Sequence, residues 1–272
     1  MKSRPVVFYS FLAGHETWAR VYLNDVPIYR SPTVGPDTRS GPANYLLGSG
    51  ENELRVELLR VTPPTGSLTR VKDAFVFELY TVNNPDAPEG TKLDRSVLLD
   101  VRFPDILDRA AEPVRRLPLC HTQTFRIDLD LAEPAFRKAE PASFDCQGTP
   151  ELRDALARIY GCLERADGEG LLDELSFKFD CDERALEGIP EQRAGVKKQK
   201  WREDLLAYRP RMSRPLDFAE HHFEARAGGR VAHVTRHDDA LVLDVVCDLD
   251  RGRRIATDLT LMQHGGRWRV FA

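Results

Sequence analysis

The sequence predicts an α+β protein of two domains, an antiparallel β-sandwich over residues 1–147 followed by an α+β domain over 148–272. Three observations carry this. Up to about residue 147, short alternating apolar runs are punctuated by Pro, Gly and Asn turns. At Thr149 a capped amphipathic helix begins. From Asp217 to Ala272 the chain reads as a meander of four antiparallel strands, Phe218–Arg226, Val231–Arg236, Leu241–Asp248 and Ile255–Gln263, with Trp268–Phe271 completing the last hairpin. Gly228-Gly229, His237-Asp238-Asp239, Asp250-Arg251-Gly252 and Gly265-Gly266 supply the turns between these runs.

Length and composition bound the rest. A chain of 272 residues accommodates one large or two ordinary domains, and 42% hydrophobic with 30% charged residues is a globular balance. No run approaches the roughly 18 apolar residues of a membrane span. The start, Met1 to Tyr9, is basic, but its apolar stretch is broken by Ser10, Gly14 and His15, so it reads as a strand, not a secretion signal. The cytoplasm is the expected compartment. Five cysteines (Cys120, Cys146, Cys162, Cys181, Cys247) without CxxC spacing point to reduced thiols, not to a disulfide framework or structural zinc. A net charge of −4 gives no support to nucleic-acid binding.

In the first half, Val6–Leu12 is a strand, and Trp18–Leu23 and Val26–Tyr29 flank Asn24-Asp25, a two-residue hairpin turn. Ser31–Pro42 is rich in Pro and Gly and reads as a loop. Leu54, Val56 and Leu58 alternate with Arg55 and Glu57, the pattern of a half-buried strand. Further strands are expected at Ala74–Val82, Ser96–Val101 and Thr124–Leu131, and Ala132–Gln147, with Pro134 and Pro141, as a linker.

Two of these stretches carry a resemblance. Val21-Tyr22-Leu23-Asn24-Asp25-Val26-Pro27-Ile28 and Tyr45–Leu58, with its Gly50-Glu51-Asn52 turn, resemble the galactose-binding-like jelly roll of carbohydrate-binding modules. Asp25 stands where that family has a turn glycine. The resemblance implies a jelly-roll type of sandwich and, as one reading, sugar binding through Trp18, Tyr22 or Tyr45. Those aromatics also suit plain strand packing.

After the linker, Thr149 serves as N-cap, Pro150 suits the first helical position and Glu151 complements the helix dipole. Leu152, Leu156, Ile159 and Leu163 then mark one face. Ala166-Asp167-Gly168 breaks the helix, a short helix Leu171–Leu175 follows, and Phe177-Lys178-Phe179-Asp180 alternates as a brief strand. A third helix, Glu191–Tyr208, turns Ala194, Trp201, Leu205 and Tyr208 inward and carries a basic face from Lys197 to Arg202.

Helix, short helix, brief strand, helix and meander, with Arg158-Ile159-Tyr160, Ala166-Asp167-Gly168-Glu169, Asp180-Cys181-Asp182 and the closing hairpin Asp258–Val270, resemble the nuclear transport factor two-like cone, which includes SnoaL-like cyclases and ketosteroid isomerases. The resemblance implies a curved antiparallel sheet on three helices. In enzymes of that superfamily a tyrosine on the first helix and an acid on the strand after the second act as oxyanion donor and base. Here Tyr160 lies one position off that spacing, and Asp180 and Asp182 flank the strand site. Many such cones lack catalytic residues and serve in dimerisation, cargo binding or toxin neutralisation.

Each candidate residue also has a plain structural role. Tyr160 adjoins the apolar stripe, so it also reads as a core-edge tyrosine with its hydroxyl in water. Alternation puts His221 on the face of Ala219, Phe223 and Ala225, and His222 with Glu220 and Glu224. His221 is thus the best inward-pointing base, although inward histidines are more often hydrogen-bonded core residues. Asp244 and Asp258 interrupt apolar strands and are candidate acids. Trp201 sits in a basic run suited to an acidic partner, or to a solvated helix face. No GxSxG, P-loop, GxGxxG or HExxH occurs, and no third ligand completes a metal site.

The expected function is therefore that of a non-enzymatic cytoplasmic protein that binds another protein, as an immunity or adaptor module would, with no cofactor, metal, nucleic-acid or membrane partner. The alternative is a SnoaL-like isomerase, cyclase or hydratase acting on a hydrophobic small molecule, with Tyr160 as donor, His221 as base and Asp258 as second acid. A homodimer through the sheet is a further expectation.

Overall fold

A computed structural model of the chain describes residues 5–13, 17–30, 37–61, 75–82, 94–102, 119–185, 203, 207, 210–237, 241–247 and 253–272. The architecture is α+β, with antiparallel sheets throughout the described residues. Contacts divide the chain into two compact units, Met1–Pro134 with Arg184–Pro190, and Ala135–Glu183 with Glu191–Ala272.

The first unit contains eight described strands, β1 (Val7–Ala13), β2 (Thr17–Leu23), β3 (Val26–Arg30), β4 (Asp37–Pro42), β5 (Gly50–Val61), β6 (Phe75–Val82), β7 (Arg95–Arg102) and β8 (Leu119–Ile127). They form two four-stranded sheets of order β4-β1-β6-β7 and β3-β2-β5-β8. Alternation explains the inner faces: Ala19, Val21, Leu23, Leu54, Val56 and Leu58 of one sheet, and Phe75, Phe77 and Leu79 of the other, are all fully buried. The sheets meet where Phe11 of β1 packs on Tyr29 of β3, ring centroids 4.0 Å apart.

Asn24 and Asp25 take φ of 50° and 63°, the left-handed pair a two-residue hairpin demands. Asn24 also reaches outward from this turn. Its Oδ1 accepts from Glu53 N at 3.0 Å, and its Nδ2 donates to Leu46 O at 2.7 Å and to Asn52 Oδ1 at 2.9 Å. Asn52, buried, closes the corner before β5 by accepting from Gly48 N and donating to Gly48 O and Gly50 O. The Gly50-Glu51-Asn52 signature is thereby accounted for as a structural lock.

Two expectations are corrected here. Asp37–Pro42, read as part of a loop, is an edge strand against β1. Its proline stands at the strand end, a position an edge tolerates. β8 begins at Leu119 and stops at Ile127, because it pairs along β5 only from Leu58↔Leu119 to Gly50↔Ile127. Beyond it the chain is held by Ser49, whose Oγ donates to Leu129 O and accepts from Leu131 N.

The second unit opens within the predicted linker. α1 (Ala135–Lys138) buries Phe136, which packs edge-on against Phe271. Ala142 N donates to Gly229 O and Phe223 N to Cys146 O, so this stretch is integral to the unit. Next come α2 (Pro150–Glu164), α3 (Gly168–Ala185), β9 (Pro210–Met212), β10 (His221–Arg226), β11 (Val231–Arg236), β12 (Leu243–Cys247), β13 (Arg253–Thr257), β14 (Leu259–His264) and β15 (Arg267–Val270). The third expected helix, Glu191–Tyr208, lies outside the described residues apart from Glu203 and Ala207.

The predicted brief strand at Phe177–Asp180 is helical instead. Glu174, Phe177 and Cys181 repeat at offsets of 3 and 4 and are all buried, a helical period that outweighs a four-residue alternation. Asp167 caps α3 through its Oδ1, which accepts from Gly170 N at 2.9 Å. Asp180 is therefore an exposed helical residue, and Asp182 pairs with Lys178 one turn away.

The meander is likewise divided. β10-β11-β14-β15 form one sheet and β13-β12-β9 another. β11 pairs with β14, not with β12, and the expected strand Ile255–Gln263 breaks at Asp258, where the chain passes from one sheet to the other. Leu152, Ala155, Leu156, Ile159 and Leu163 of α2 share a core with Phe223, Val234, Val245, Leu259, Leu261, Trp268 and Val270. Arg158 on the same helix binds the buried Glu174 of α3 at 2.7 Å.

Candidate functional site

The second unit buries two titratable side chains, Tyr160 and His221, against each other. α2 starts as its sequence requires: Thr149 is extended, its Oγ1 accepts from Leu152 N, and Pro150 occupies the first turn. Gly148, at φ 69°, precedes the cap, and a Cβ there would lie 2.8 Å from the Phe223 ring. Only glycine suits both demands. This entry fixes the rotation of α2, so that Tyr160, four residues beyond Leu156, points to the sheet and is 1% exposed. Its hydroxyl is buried, not in water as the core-edge reading has it.

His221 approaches from the opposite side. Asp217 caps a single 3-10 turn, Phe218–Glu220, by accepting from Ala219 N, and β10 starts immediately after it. Alternation then turns His221 and Phe223 inward while His222 and Glu224 are half-buried on the other face. His221 is 1% exposed. Its Nδ1 donates to Asp217 O at 2.6 Å, leaving Nε2 facing Tyr160 Oη at 3.1 Å. Tyr160 Oη also donates to Val242 O at 2.8 Å.

Burial pushes the His221 imidazole below its ordinary pKa, and the Arg236 charge works in the same direction. The Asp217 carbonyl, with the Glu220 and Asp217 carboxylates, opposes them. Arg236 stands across from His221 in the β10–β11 register and is held by Glu220 at 2.6 Å. A histidine whose tautomer is set by a carbonyl and whose Nε2 faces a tyrosine has the form of a base–donor pair.

Asp258, the third member of the expected set, does not join them. It lies beside His233, Nε2 to Oδ2 4.0 Å, where His233 Nδ1 also meets Thr260 Oγ1 at 3.5 Å. His233 is 5% exposed. One of several histidines in this half of the sequence and given no role there, His233 lies among Val231, Ala232, Val234 and Thr235, a β-branched and apolar setting that signals burial. His237 and His264 are exposed, as their turn positions suggest, and the His264 ring stacks on Phe177 at 4.4 Å.

The remaining candidates scatter. Asp244 lies in β12 opposite Ala256, and its side chain falls outside the described residues, as does Trp201. Trp18 and Tyr22 lie on one face of β2, and Tyr45 in the turn after β4. The Tyr22 ring is 1% exposed, with the Arg55 guanidinium 4.1 Å from its centroid and its hydroxyl on Glu57. It offers no open platform for a sugar ring. Among the described residues, no three His, Cys, Asp or Glu side chains gather where they could hold a metal ion.

No protein-family model, curated protein or solved structure matches the chain. No helix among the described residues is long and apolar enough to cross a membrane.

Proposed function

We propose that this chain is a non-enzymatic binding protein whose task is to recognise another protein. The observation that carries this reading is the engagement of Tyr160 and His221. The two groups best suited to acid–base chemistry are each 1% exposed, and both are bound to main-chain carbonyls. A catalytic pair has to meet its substrate, whereas these two hold the core together.

The surface adds support. Among the described residues, Val97 and Leu98 are the large hydrophobic side chains that stand exposed, at 56% and 36%. They are adjacent on β7, at the edge of its sheet, where the pairing with β6 shifts between Leu79 and Tyr80. Exposed apolar residues on a sheet edge are a common meeting place for a second chain. In this reading the first unit is a jelly-roll type of sandwich and the second a variant of the nuclear transport factor two-like cone, in the manner of adaptor or immunity modules.

The test is site-specific photo-crosslinking from position 98, followed by mass spectrometry. One recurrent protein adduct that disappears in Val97→Lys, with Tyr160→Phe leaving it intact, is the expected result. Absence of any adduct sensitive to Val97→Lys overturns the reading.

The 3.1 Å contact between Tyr160 and His221 favours one second reading, a SnoaL-like isomerase, cyclase or hydratase for a hydrophobic small molecule. It requires α2 to separate from β10 when the ligand enters. Titration with a hydrophobic fluorophore checks it: binding abolished by both Tyr160→Phe and His221→Gln supports an opening cone, and binding indifferent to both removes it.

A further inference from the structure

We propose that the chain Asp217–His221–Tyr160–Val242 is a proton-operated clasp, which loosens α2 from the two sheets of the second unit when His221 takes up a proton. Two of the chain's acceptors are carbonyls, Asp217 O and Val242 O, which cannot donate. His221 Nδ1 must therefore carry the hydrogen directed at Asp217, and Tyr160 Oη has one hydrogen of its own. With a neutral imidazole, two hydrogens serve three contacts, and the tyrosine hydrogen faces both Val242 O at 2.8 Å and His221 Nε2 at 3.1 Å.

A proton added at Nε2 changes the direction of the chain. Nε2–H then donates to Oη, and Oη donates to Val242 O, so all three contacts are made. The gain comes with an ionised ring that is 1% exposed, in a core of Leu, Ile and Val side chains. An ion in such surroundings is costly even when its hydrogen bonds are complete.

The charged and titratable groups around it do not offset that cost. From the preceding turn come Asp217, whose carboxylate is turned to Ala219 N, and Glu220, which is taken by Arg236. From β11 comes Arg236 itself, a like charge across the ladder, and from α2 comes the neutral Tyr160. Burial holds the His221 pKa below its ordinary value, so the group is neutral at rest. Because the folded pKa is the lower one, the stability that His221 contributes is present above the unfolded value of about 6.5 and is lost as pH falls toward the folded value.

The position of the clasp gives this local event its reach. Tyr160 belongs to α2, His221 opens β10 in the four-stranded sheet, and Val242 immediately precedes β12 in the three-stranded sheet. One hydroxyl thus joins a helix to both sheets.

The experiment is an NMR titration of the full chain with ring resonances of His221 assigned through His221→Gln, together with hydrogen exchange of the second unit from pH 8 to 5. Three results are expected. The His221 midpoint falls below about 6.5. Protection of α2 and β10, corrected for intrinsic exchange, drops with acid by up to about tenfold per pH unit, and this dependence flattens in His221→Gln. Tyr160→Phe, which removes the acceptor for Nε2–H, lowers the midpoint further. A midpoint at or above 6.5, an unchanged acid dependence in His221→Gln, or an unmoved midpoint in Tyr160→Phe overturns the clasp. If His221→Gln does not fold, the His221 ring resonances are assigned by through-bond correlation from its own backbone, and the wild-type titration and Tyr160→Phe decide the question.

Discussion

Tyr160 and His221, separated by 61 positions in the sequence, meet inside the second unit with Oη and Nε2 3.1 Å apart and neither ring in contact with solvent. At the hydroxyl between them, α2, β10 and the residue leading into β12 are tied by hydrogen bonds.

Tyr160→Phe keeps the ring and removes that tie. Val242 O and His221 Nε2 lose a buried partner, and a loss of about 1–3 kcal/mol is expected. Urea unfolding at pH 7.5 measures it. A variant as stable as the wild type would show that the hydroxyl contributes no net stability.

Asn52→Ala removes a side chain that serves Gly48 N, Gly48 O, Gly50 O and Asn24 Nδ2 together. Leaving these groups buried and unmet costs about 1–3 kcal/mol. Glu51→Ala, at the exposed neighbouring position, is expected to stay within about 0.5 kcal/mol. Equal effects from the two substitutions would remove the turn-locking role of Asn52.

Gly148→Ala combines an unfavourable φ of 69° with a Cβ set 2.8 Å from Phe223 Cδ2. A loss of about 1–3 kcal/mol follows from strain and overpacking. Phe223→Leu in the same chain relieves the second component only, so partial recovery in a thermal melt is the expected signature. No change on Gly148→Ala alone would contradict the geometry of the entry to α2.

Four cysteines fall into two reactivity classes. Cys120 and Cys146 are exposed, whereas Cys162 and Cys181 are buried. Burial and the neighbouring Asp167 raise the Cys162 thiol above its ordinary pKa, which lowers its thiolate fraction further. Peptide mapping after brief treatment with an alkylating reagent at pH 8 should find label at Cys120 and Cys146 well before Cys162 or Cys181. Early labelling of Cys162 would show that the core around α2 opens readily.

The parts of this structure that were legible in the sequence are those set by neighbouring residues. Asn24-Asp25 announces its hairpin because few residues other than Asn, Asp and Gly accept two positive φ values in succession. Thr149-Pro150-Glu151 announces the start of α2, and the apolar spacing from Leu152 to Leu163 announces the face it buries. Alternation was enough to turn His221 inward.

What was not legible depends on partners distant in the chain. Phe177-Lys178-Phe179-Asp180 alternates like a strand, yet Phe177 lies on a helix against Phe271 and His264. β4 exists because β1 has an edge to offer, which nothing in Asp37–Pro42 discloses. The association of Asp258 with His233, in place of His221, follows from which strand lies beside β11. That choice was made when the chain left β11 for a hairpin in another sheet. Val242 as the acceptor for Tyr160, 82 positions away, carries no side-chain signature because the group involved is a carbonyl.

β13 ends at Thr257 in one sheet and β14 begins at Leu259 in the other, so Asp258 alone bridges them. A linkage that short has no slack. Should the small sheet fray, its last strand pulls directly on the neighbour of β11, and should the large sheet give way, the hairpin above it loses its anchor. The two sheets of this unit are thereby yoked through one residue of the chain.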